Sequence, residues 1–150
     1  MMMKLTTSLS VLAMLAVADN HDSHTQYRRC VAPEGKFSST IAGSVALYQE
    51  CNSDEDEPTM IRLSWKNLQP FAHYGVRLYE GVDGVASCLD AATPIYDLGW
   101  FEGDVNGRGS AWNLSDEFSV GLEGEGSIDG LYATIVDRNG ERLACCQITA

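Results

Sequence analysis

The chain has 150 residues, 21 acidic against 10 basic, for a net charge of −11. That length holds a single core, and that charge sets the chain against nucleic acid and anionic membranes as partners. No run of apolar residues approaches the roughly 18–20 that a bilayer-spanning helix needs.

Lys4 precedes the apolar run LSVLAMLAV, and Ala16-Val17-Ala18 puts small residues at a cleavage position. A charged start, a short apolar core and small residues at the cut mark a secretory signal peptide. Residues 1–18 are expected to be removed, leaving a secreted, extracellular chain. With Lys4 the only charge lost, 9 basic and 21 acidic residues remain, a charge of −12.

Residues 19–29 read as a polar lead and 30–150 as one domain. Cleavage after Ala18 exposes Asp19-Asn20-His21. The free α-amine, two amide nitrogens and the imidazole then make a four-nitrogen chelate, the square-planar kind that selects Cu(II) or Ni(II). His24 offers a weak additional donor. Deprotonated amides resist reduction to Cu(I), so such a terminus suits copper carriage or sequestration better than turnover.

From there the chain shows short β-rich runs. In order they are IAGSVALYQE, TMIRLSWKNL, YGVRLYEG, LGWFEGD, GRGSAWNL, EFSVGLEG, LYATIVDR and RLACCQIT. Turn signals divide them: residues 52–58, Asp83-Gly84, Asn106-Gly107 and Asn139-Gly140. Asn-Gly between apolar runs predicts a hairpin because both residues accept positive φ. Short strands at this spacing, with no helical periodicity, predict an all-β sandwich or flattened barrel. The acidic run SDEDEP lacks the glycine of a calcium loop and reads as a solvated hairpin tip; GDVNGRG is likewise a turn.

Five cysteines in a secreted chain of this size predict disulfides, with one thiol left over. Asn113-Leu114-Ser115 is a sequon for N-glycosylation, the mark of a glycoprotein.

From Leu68 to Ile148 the sequence resembles the Cu/Zn superoxide dismutases. Their pattern H-G-F-H-V-H-E-x-G-D-x-x-x-G-C falls on YGVRLYEGVDGVASC, Tyr74 to Cys88, keeping Gly75, Glu80, Asp83 and Cys88. DLGWFEGDVNGRGSA, Asp97 to Ala111, is similar to the family's D-L-G-N hairpin segment, and NGERLACCQI resembles its closing R-L-A-C-G-V-I strand. The resemblance implies an eight-stranded Greek-key β-barrel or sandwich and a disulfide between Cys88 and Cys145. Of the remaining Cys30, Cys51 and Cys146, one more internal bridge is expected. Cys146 follows Cys145 on a strand, so its side chain faces the other way; the sequence leaves the pair open.

The resemblance also implies what has been lost. The family's first two copper ligands fall on Arg77 and Tyr79, and its bridging histidine has no counterpart. A zinc histidine falls on Pro94, the zinc aspartate stays as Asp97, and the last copper histidine falls on Val136. A guanidinium brings fixed positive charge and valine no lone pair, so the barrel site is not expected to hold copper. His73 lies off the ligand pattern and reads as a surface residue. Arg142 falls on the family's anion-guiding arginine, or is a plain surface arginine.

The expectation is a non-catalytic, dismutase-like pseudoenzyme serving as an extracellular binding or structural domain. Its partner is an unknown extracellular protein, with basic or cationic surfaces the natural match, and the leftover cysteine allows a disulfide-linked dimer. The alternatives are an extracellular superoxide dismutase with an unconventional metal site, or a Cu(II) carrier acting through Asp19, Asn20 and His21.

Overall fold

The computed structural model describes residues 24–52, 55–81, 87–90, 93–120 and 127–149. The signal segment and the Asp19-Asn20-His21 chelate lie outside them. Among the described residues no helix is long and apolar enough to cross a membrane.

The regular structure of the described chain is almost wholly antiparallel strand: β1 (His24–Ala32), β2 (Ala42–Asn52), β3 (Glu55–Asp56), β4 (Thr59–Lys66), β5 (His73–Tyr79), β6 (Pro94–Glu102), β7 (Gly109–Ser115), β8 (Tyr132–Asp137) and β9 (Arg142–Gln147). A short 3-10 turn, η1 (Cys88–Asp90), follows β5. One sheet runs β1-β2-β4-β7 with β3 on the tip of β2; the other runs β6-β5-β8-β9. The chain crosses between sheets after β4 and returns at β7 to lie beside β4, a Greek-key crossing.

Alternation drives the layering. β4 buries Thr59, Ile61, Leu63 and Trp65 while Met60, Arg62, Ser64 and Lys66 face outward. Val45, Leu47, Val76, Leu78, Ala133 and Ile135 meet these residues in the single core between the sheets.

The sheets touch along both edges without a continuous ladder. On one side Arg29 and Thr149 exchange long backbone bonds of 3.5 and 3.4 Å. On the other, Asn113 Nδ2 donates to the Leu98 carbonyl at 2.9 Å. The molecule is therefore a β-sandwich, and the closed-barrel half of the expectation does not hold.

Two local readings change. Residues 117–120 of EFSVGLEG are not a strand; 121–124 lie outside the described residues. Phe118 and Val120 are buried, but their backbone bonds go to side chains: the Thr59 hydroxyl donates to the Phe118 carbonyl (3.0 Å), and the Val120 N–H donates to Gln49 Oε1 (2.7 Å). The eighth long strand is instead β1.

Both Asn-Gly turns form, but only Asn139-Gly140 closes a hairpin, β8–β9; Asn106-Gly107 joins β6 to β7 across the two sheets. Only Gly107 (φ 73) and Gly140 (φ 82) take positive φ, not the asparagines. Asp104 Oδ1 accepts from the N–H groups of Asn106 and Arg108, and Asp137 Oδ1 accepts from those of Asn139 and Glu141. The preceding aspartate thus holds a turn with a single left-handed residue, the glycine.

Candidate functional site

The positions that the dismutase resemblance assigns to metal share one surface. Gly75, Arg77 and Tyr79 alternate on the side of β5 away from the core, since Val76 and Leu78 lie inside. β8 sets Val136 opposite Gly75 and Thr134 opposite Arg77, and β9 sets Cys145 opposite Thr134. Tyr79, Thr134, Val136 and Cys145 are all buried, yet outside the core between the sheets. The outer face of this sheet is therefore covered.

Aromatic rings and guanidiniums occupy it. Trp100 lies over Gly75 so closely that a Cβ there would meet its ring at 2.7 Å. Asp97 fixes that ring, accepting from Trp100 Nε1 at 3.1 Å through Oδ2 while Oδ1 accepts from the Gly99 N–H at 3.0 Å. The Arg77 guanidinium sits 5.4 Å from the Trp100 ring centre. Arg142 lies 4.2 Å over the Tyr79 ring and donates to the Leu89 carbonyl at 2.9 Å, tying β9 to η1. Each stack of this kind contributes about 0.5–2 kcal/mol, more as water is excluded. Thr134 Oγ1, fully buried between Arg77 and Cys145 in register, has no hydrogen-bond partner among the described residues.

The donor set does not fit copper or zinc. Guanidinium, phenol and valine stand at the three copper positions, exposed Pro94 opens β6, and the Asp97 carboxylate already serves Gly99 and Trp100. Among the described residues no group of three His, Cys, Asp or Glu side chains gathers as a metal site. Exposed His73 stands apart, its Nε2 3.7 Å from a Glu102 oxygen.

Both bridges of β9 are in place. Cys145 joins Cys88 in η1 (Cα–Cα 6.2 Å), as the resemblance implies, and Cys146 joins Cys30 in β1 (5.5 Å). Adjacent cysteines thus point to opposite faces, one pinning the outer cover and the other the opposite sheet. Cys51, opposite His24 in the β1–β2 register, is the cysteine these bridges leave over.

Asn113 Nδ2, the atom a glycan would join, is turned into the seam between the sheets by its bond to Leu98. The residue that sequence reasoning passed over is Trp100. It stands where the resemblance has asparagine, and that departure was the available signal. Against known proteins, no family model matches the chain and no curated protein resembles it in sequence.

Proposed function

We propose that the chain is a secreted relative of the Cu/Zn superoxide dismutases that has given up their chemistry and serves as an extracellular binding or structural domain. The observation that carries this reading is the packed outer face of the β6-β5-β8-β9 sheet. Where the resemblance has imidazoles, Arg77 lies on Trp100 and Arg142 on Tyr79, with Val136 beneath. The strand order and the Cys88–Cys145 bridge support the family reading; the two disulfides and the N-terminal segment support secretion. A covalent dimer through Cys51 is a companion proposal, and non-reducing electrophoresis showing only monomer would remove it.

Metal content and turnover test the main reading on protein secreted with its native N-terminus, beside a His21→Ala variant. No dismutation, and no copper in the variant, is the expected result. Copper in the native protein alone assigns it to Asp19, Asn20 and His21 and favours carriage. Equal copper in both, with dismutation, overturns the proposal in favour of a working metal site.

A further inference from the structure

The outer face of the β1-β2-β4-β7 sheet differs from its counterpart: side chains stand on it in three open rows. The middle row, read across the strands by register, is Arg29, Ala46, Arg62 and Trp112. Trp112 is 59% exposed, and the Arg62 guanidinium lies 5.2 Å from its ring centre. Neither Arg29 nor Arg62 has a carboxylate partner among the described residues, although the chain as a whole carries −11. One flanking row is apolar and aromatic: Tyr27 against Tyr48 (ring centres 4.9 Å apart), then Met60 and Leu114, the last 66% exposed. The other is Val31, Ser44, Ser64 and Ser110, along a groove of about 890 Å³ whose lining also carries Glu34, Lys66, Glu102, Asp104 and Arg108.

From this arrangement we infer that the face binds an acidic polysaccharide of low charge density, with carboxylates on alternate sugars. Strands lie about 4.8 Å apart, so Arg29 and Arg62, two strands apart, sit about 10 Å from each other along the row. That is the reach of a disaccharide, with the small Ala46 leaving room for the intervening ring. Trp112 continues the row by one strand and offers a flat face to the next sugar, since aromatic rings at surfaces present an apolar body to C–H groups. The serine row supplies groups that both donate and accept, as sugar hydroxyls require.

The charge pattern selects among occupants. A second copy packed face to face would set guanidinium against guanidinium, which like charge opposes. A densely sulfated chain would meet the repulsion of the remaining acidic surface within a Debye length of about 8 Å. A sparsely charged glycan can set its carboxylates on Arg29 and Arg62 while its hydroxyls, not its carboxylates, face Glu34, Glu102 and Asp104 of the groove. This inference deepens the binding-domain reading and rests on its claim that the protein is secreted, where such polymers are found.

The test is retention of the full secreted protein on immobilised hyaluronan oligosaccharides, with dextran and heparin alongside. The expected result is binding to hyaluronan over both, weakened tenfold or more by Arg62→Ala and by Trp112→Ala. Both residues are exposed, so an unchanged melting transition shows that the variants remain folded; Arg77→Ala, on the opposite sheet, should bind as the native chain does. Absence of retention, equal retention of the variants, or a preference for heparin indifferent to Trp112→Ala would overturn the inference. So would a dimer in sedimentation that Trp112→Ala dissociates, because it gives the face to a second copy. A protein that fails here yet shows no dismutation keeps the scaffold reading and loses only the glycan.

Discussion

Thr134 has the polarity of a site residue and the surroundings of a core residue. Its hydroxyl is fully buried opposite Arg77 and Cys145 without a partner among the described residues. An unpaired buried hydroxyl costs about 1–3 kcal/mol, and valine has the same shape without it. Thr134→Val should therefore raise the unfolding free energy by about 1 kcal/mol in urea titration. A loss of stability instead would mean that the hydroxyl serves a group bound on this face. Residue-scale reading of the sequence singled out Arg77, Tyr79 and Val136 through a resemblance, but not the contacts they make. Arg77, Tyr79 and Val136 lack the imidazole nitrogens that the resemblance would place there. That Trp100 would cover Gly75, oriented by Asp97, depends on a through-space contact between β5 and β6 that no local pattern encodes.

At the scale of elements, the strand pattern was legible wherever one face is wet and the other buried, as in β4. It failed where side chains substitute for the ladder. β1 gave no apolar alternation at its start because its inward Arg28 pairs with Asp129 at 2.7 Å rather than entering a core. Phe118 and Val120 gave a false alternation: both are buried, but Thr59 and Gln49 take their backbone bonds. Gln49 is the tighter test, since its amide also donates to the Glu57 carbonyl at 2.7 Å. Gln49→Leu leaves the Val120 N–H and the Glu57 carbonyl without this partner. It should lower stability by about 1–3 kcal/mol, the cost of leaving the buried Val120 N–H unpaired. Hydrogen exchange at Val120 should rise ahead of exchange in β4 and β5. Unchanged protection at Val120 would show that another group satisfies it.

For the whole molecule, the two adjacent cysteines of β9 divide the labour between sandwich and cover. Cys30–Cys146 spans 116 residues and joins the two sheets beside the long Arg29–Thr149 bonds; Cys88–Cys145 spans 57 and holds η1 against the outer face of one sheet. Loop entropy alone separates them by only about 0.6 kcal/mol, because closure grows with the logarithm of length. Their structural consequences should differ more. Removing the first by Cys30→Ala with Cys146→Ala frees one sheet edge from the other, so the whole sandwich should lose about 2–5 kcal/mol in one cooperative transition. Removing the second by Cys88→Ala with Cys145→Ala should first release η1 and the Arg142–Leu89 bond. Amides of residues 87–90 would then exchange faster, while those of β2 and β4 keep most of their protection. Equal, uniform loss of protection in both variants would mean that the cover and the sandwich unfold as one unit. In that case the packed rings over β5 belong to the stability of the fold as a whole.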